Sequence, residues 1–235
     1  MRWGIWSTAV ALMVAACGGK REAAGNEGAA TKDTTTAALP SGPAQYAVVL
    51  KGRWTRANFP LEYPADAHFS GLIGATHQAG YDIFAEGQMP TPGLENLSEE
   101  GKHSPLDAEI RAAQSAGTAG ALFETSGGLR DFSDSLMTTF SADPQHPLVS
   151  VVAMVAPSPD WFTGVRAVNL LENGQWVTSR TLELFAYDSG GDDGTTFKAS
   201  NQNTDPKKPT MRANNPHFVI AGTAMPVGSI TFIKQ

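Results

Sequence analysis

The chain has one cysteine, Cys17, in 235 residues. A single thiol excludes an intramolecular disulfide, and with it any zinc site built on a Cys-x-x-Cys pair. Basic runs are missing too: 17 Lys and Arg face 23 Asp and Glu, for a formal charge of −6. That balance argues against nucleic acid as a partner. Beyond the N-terminal region no apolar run is long enough to cross a bilayer. Gly-x-Ser-x-Gly, His-Glu-x-x-His and a Gly-rich phosphate loop are all absent, which removes the usual signatures of a serine hydrolase, a zinc protease and a nucleotide binder. There is no internal repeat.

What is present begins with a targeting signal. Arg2 supplies a short positive region and Trp3 to Ala16 an uncharged apolar stretch. Val14-Ala15-Ala16-Cys17-Gly18 matches the bacterial lipoprotein box, so residues 1–16 read as a signal peptide and Cys17 as the lipidated first residue. Acyl chains on Cys17 make the membrane a partner, each buried methylene adding about 0.8 kcal/mol. The expected location is a bacterial cell envelope, and the outer membrane in a Gram-negative host, because Gly18 rather than Asp follows the cysteine. Residues 17–44, rich in Gly, Ala, Thr and charge, cannot bury enough surface to offset their ordering entropy and read as a flexible tether. Residues 45–235 suffice for one domain with a substantial core.

That domain reads as mainly β. Tyr46 to Leu50 opens it, and Leu148 to Ala156 is an apolar run suited to a strand buried on both faces. Val165 to Leu171 precedes Asn173-Gly174, the strongest short hairpin signal, since a type I′ turn needs positive φ at both central positions. The return, Trp176 to Tyr187, alternates in period two; His217 to Ala221 and Ile230 to Ile233 read as closing strands. One helix is expected from an N-cap at Ser104 to Gly117, with Leu106, Ile110 and Ala113 as its apolar stripe. The whole predicts an antiparallel β-sandwich with one or two short helices.

Ala156-Pro-Ser-Pro-Asp-Trp-Phe-Thr-Gly164 is expected to be a stiff loop, because two prolines exclude a helix and remove two ladder donors. It displays Asp160 beside Trp161. A second acidic stretch, Asp188-Ser-Gly-Gly-Asp-Asp-Gly194, returns to the same end: a nine-residue strand spans about 30 Å, and the strand after Asn173-Gly174 recovers it. Asp160, Asp188 and Asp192 would repel one another unless a cation lay between them. Hard oxygens on Gly-rich loops suit Ca²⁺ better than Mg²⁺, although the spacing is not that of an EF-hand and Asp-Gly loops are commonly solvated turns.

Val152 to Gly164, His68-Phe-Ser-Gly-Leu-Ile-Gly-Ala-Thr-His77, Phe84-Ala-Glu-Gly87 and Ala186 to Gly194 together resemble the spondin domain of F-spondin and mindin. The resemblance runs from about Tyr46 to the carboxy terminus. It implies a sandwich similar to C2 domains with Ca²⁺ at one end, its ligands corresponding to Asp160, Asp188 and Asp192. The thrombospondin repeats and cysteines of the animal proteins are missing, and Asp193 adds an acid beside Asp192. The implied role is a non-catalytic calcium-binding surface module that contacts a protein or a glycan. A secreted metal-dependent hydrolase and C2-like membrane-surface binding are the alternatives. No His falls in either acidic loop, which weighs against the first; the lack of basic residues around them weighs against the second. His68 and His77 read as hydrogen-bonded structural residues, Glu86 and Glu109 as partners for backbone or Arg, and Trp54 and Trp176 as core or sheet-face packing. Trp161 is expected either to cap the core or to form an exposed contact.

Overall fold

The computed structural model describes residues 42–235. The expected signal peptide, Cys17 and the tether as far as residue 41 lie outside the described residues. The strands are β1 (Ala44–Gly52), β2 (His68–Phe69), β3 (Ile73–His77), β4 (Ala119–Glu124), β5 (Ser135–Ala142), β6 (Leu148–Ala156), β7 (Trp161–Asn169) and β8 (Leu171–Glu172), followed by β9 (Gln175–Trp176), β10 (Ser179–Leu184), β11 (Ala186–Asp188), β12 (Met211–Arg212), β13 (Val219–Ile220), β14 (Thr223–Ala224) and β15 (Gly228–Lys234). Two helices, α1 (Pro92–Glu100) and α2 (Leu106–Ser115), fall between β3 and β4.

The chain forms an antiparallel β-sandwich. One sheet has the order β10-β15-β1-β5, the other β12-β11-β7-β6-β3-β4 with β2 added on β6. Side chains alternate across β6: Val149, Val151, Ala153 and Val155 enter the core between the sheets, while Val152 enters a second cluster. That second cluster joins Leu94 and Leu97 of α1 and Leu106 and Ile110 of α2 to Phe162 and Tyr187. Burial on both faces explains why Leu148 to Ala156 is apolar without alternation.

Several elements differ from their sequence readings. The expected loop 156–164 is only four residues long, because the prolines interrupt the ladder at 157 and 159 and pairing resumes at Trp161. Trp161 is 1% exposed and packs edge-on against Phe197 and Phe218, so it belongs to the core. The return strand Trp176–Tyr187 is divided. Its β10 portion pairs with β15 in the smaller sheet, and after Phe185 the chain crosses the sandwich corner to pair β11 with β7. Val219–Ile220 forms a hairpin with β14 instead of closing a main sheet. The Asn173-Gly174 turn has φ of 50° and 74°, as a type I′ turn requires.

Helix α2 starts at Leu106 without a side-chain cap, and the Ser104 carbonyl instead accepts from the Asn96 amide. Helix α1 is the second of the one or two short helices expected, and its ends follow from its caps. Thr91 Oγ1 caps it at Leu94 N, 3.1 Å, Pro92 opens it, and Gly101 closes it at φ 66°. Glu109 adds a second cap, accepting from Gly93 N at 2.7 Å, so the two helices are joined through α1's first turn.

A bulge follows Val149 in the β6–β7 ladder, where Ala167 takes a φ of 49°. Buried Ser150 holds it: Oγ accepts from Ala167 N at 2.9 Å and donates to His77 Nε2 at 2.8 Å. His77 Nδ1 lies 2.8 Å from the Gln78 carbonyl, so its ring is a structural link.

Candidate cation site

The two acidic loops meet where the β6–β7 turn faces the end of β11. Antiparallel pairing sets Asp188 opposite Trp161, one residue after Asp160. Ser158 Oγ accepts from Trp161 N at 3.0 Å and stiffens the turn. Asp160, 0% exposed, then points its carboxylate under the second loop.

The two oxygens of Asp160 have different surroundings. Oδ2 accepts from Ser189 Oγ and from the backbone N–H groups of Gly190, Gly191 and Asp192, at 2.9, 2.9, 2.8 and 3.1 Å. Oδ1 is buried and has no hydrogen-bond partner. Gly190 has φ 88°, and its N–H also reaches Asp188 Oδ1 at 2.9 Å. An added Cβ there would lie 2.1 Å from the Lys208 carbonyl oxygen, so only glycine fits the turn.

Asp192 is buried as well, but its carboxylate faces its own loop. Oδ1 accepts from Gly194 N and Oδ2 from Gln202 N, both at 2.6 Å. Asp193 turns outward to pair with Lys208, which separates its role from that of Asp192. Among the described residues no three His, Cys, Asp or Glu side chains form a ready-made metal cage. The donor chemistry nevertheless fits a hard cation: a bare buried oxygen on Asp160, with Asp188 and Asp192 each retaining unused carboxylate lone pairs.

Burial and like charge also disfavour ionisation of these acids. Burial, then the Asp160 charge, hold the Asp188 carboxyl up at about 6. Burial raises Asp160 despite its four donors. A further acid, Glu99, stands at the end of α1. Burial and the charges of Glu95, Asp160 and Asp192 push it up to about 7. Glu99 Oε1 is buried and accepts no hydrogen bond. Ser98, beside it, reaches Ser189 Oγ at 3.0 Å and so docks the helix on the loop. Neither Ser98 nor Glu99 was picked out from the sequence. The available signal was a pair of acids in the last turn before Gly101, where a helix favours basic residues.

A family model, Spondin_N, matches residues 44–217, most of the described domain and all of these acids. The chain belongs to the spondin family. Spondin-2 of Rattus norvegicus is 29% identical over 204 residues, covering 81% of this chain and 62% of that protein. Human Spondin-2 gives 29% over 203 residues, 81% and 61%. Spondin-1 of Gallus gallus is 26% identical over 174 residues, covering 71% of this chain and 21% of that protein. The chain thus spans about three-fifths of the Spondin-2 proteins and a fifth of Spondin-1. Among the described residues no helix is long and apolar enough to cross a membrane.

Proposed function

We propose that this chain is a non-catalytic, calcium-binding surface module of the adhesion type, which presents a metal-organised loop end to a protein or glycan. The observation that carries the reading is the buried Asp160 carboxylate, with one oxygen holding four donors and the other bare beside acidic neighbours. Asp160, Asp188 and Asp192 would hold the cation, which would neutralise charges that burial makes costly. Family membership supports a surface role, and the lipoprotein box ending at Cys17 supports lipid anchoring in a bacterial envelope.

The histidines support a non-catalytic reading. Each of the five has at least one hydrogen-bond partner outside the acidic loops: His68 with Asp66, His77 with Ser150, His103 with Glu124, His146 with Asp143 and His217 with Glu62. Nδ1 of His217, against Trp161, is the one buried ring nitrogen among them left orphaned. A hydrolytic metal site would want an imidazole ligand or a free base beside the cation.

The test is a Ca²⁺ titration of the purified full chain by calorimetry, with melting curves in EDTA and in Ca²⁺, beside Asp188→Asn. At 100 times Kd, mass action adds about 2.7 kcal/mol, or roughly 5–11 °C for a domain of this size. The variant should lose most of that rise. A wild-type chain that does not respond to millimolar Ca²⁺ would sink the reading.

A further inference from the structure

Glu99 is an acid that its local structure opposes. It lies in the last turn of α1, beside Glu100 and with no basic residue in that turn. There the helix's partial negative charge works against a carboxylate. Its neighbours are each accommodated. Glu95, one turn earlier, pairs with Lys207, Asp193 pairs with Lys208, and Asp188 and Asp192 accept backbone N–H groups. Among the described residues nothing does the same for the buried Oε1 of Glu99.

Three further observations converge on this atom. The fully buried Asp160 also keeps an unpartnered oxygen, Oδ1, in the same acidic neighbourhood. Gly191, whose N–H binds Asp160, makes room for Glu99: an added Cβ would lie 2.9 Å from Glu99 Oε1 and 3.2 Å from Glu95 Cγ. Glu99 also lines a groove of about 870 Å³ that runs past Pro157, Gly101 and His103, so its side chain borders solvent on that side. A second carboxylate with a bare buried oxygen, held against the metal loop with room made for it, is what an oxygen-coordinated cation requires.

We propose that Glu99 is a fourth carboxylate of the cation site, delivered by α1, so that the metal ties the helix to both strand-end loops. The proposal rests on the calcium reading above and adds a ligand from a third element. The extra charge tunes the site toward multivalent cations, since affinity in such sites follows ligand charge count.

The experiment uses the full chain, with Ca²⁺ by calorimetry and Tb³⁺ by luminescence excited through Trp161, next to Asp160 in sequence. Glu99→Gln is expected to weaken Ca²⁺ binding about tenfold or more, with an unchanged or higher melting temperature in EDTA because a like charge has gone. Gly191→Ala displaces the Glu99 carboxylate without removing any acid, and is expected to weaken binding in the same direction. Glu100→Gln, an exposed neighbour, controls for general charge and should change affinity less than twofold. Equal Ca²⁺ affinity in wild type, Glu99→Gln and Gly191→Ala would overturn the proposal while leaving the calcium reading in place. Equal weakening by Glu99→Gln and Glu100→Gln would also overturn it, as a general charge effect. Absence of binding in the wild type would overturn both. If Glu99→Gln does not fold, Glu99→Ala decides in its place: weaker binding supports the ligand role, and equal binding removes it.

Discussion

Asp160 is predicted to do two separable jobs with its two oxygens, and paired substitutions can divide them. Asp160→Ala removes the acceptor for Ser189 Oγ and for the N–H groups of Gly190, Gly191 and Asp192. Gly190 keeps Asp188 Oδ1, and the serine hydroxyl can turn, so two backbone donors are left bare in a buried loop. Each costs about 1–3 kcal/mol, and relief of carboxylate repulsion returns part of that. A net loss of about 3 kcal/mol corresponds to a fall of roughly 6–12 °C in melting temperature in EDTA. Asp160→Asn keeps a neutral oxygen for the same four donors and replaces the bare oxygen by an amide nitrogen. In EDTA it should stay within about 1 kcal/mol of wild type, yet lose the calcium-dependent rise. The assay is thermal melting by circular dichroism, with and without Ca²⁺. If the Asn variant melts as low as the Ala variant in EDTA, the four-donor argument is wrong. If it keeps the full calcium response, Oδ1 is not a ligand.

Two further predictions concern the scaffold. Ser150→Ala leaves His77 Nε2 and the Ala167 N–H without their partner, and should cost about 2–4 kcal/mol in urea unfolding while leaving calcium affinity unchanged; a loss below 0.5 kcal/mol, on the order of a neutral surface change, would remove Ser150 as the keystone of the bulge. His77 has its pKa lowered by burial, so in the window below 6.5 the unfolded chain binds a proton that the native chain refuses. This contribution to stability is therefore lost as pH falls from 6.5 toward the lowered value, by at most about 1.4 kcal/mol per unit; NMR titration of the His77 ring at or above 6.5 would contradict it.

Much of this arrangement was legible in the residues because it rests on rules of period and turn chemistry. The apolar run of β6, the I′ turn at Asn173-Gly174 and the length of the returning chain together placed Asp160 and Asp188 at one end. The break at Phe185 was not legible, since alternation continues through it and only pairing reveals that the chain changes sheets. Where helix α1 lies was hidden by its size: Leu94 and Leu97 are its only large buried side chains, too few to set a period, although Thr91-Pro92 and Gly101 mark its ends. Glu99 was missed for the same reason, because without the helix nothing brings residue 99 to a loop ninety residues later.

The position of β1 has a mechanical meaning. It lies between two antiparallel partners, paired with β15 from Tyr46 to Gly52 and with β5 from Ala44 to Lys51. A pull on Ala44 along the strand axis therefore loads both ladders in shear, with many hydrogen bonds resisting together, instead of opening them one by one. The loops that carry Asp160 and Asp188 belong to the opposite sheet, so force applied between Ala44 and those loops would cross the sandwich core. Resistance to such a pull would therefore draw on the core packing as well as on the two ladders of β1.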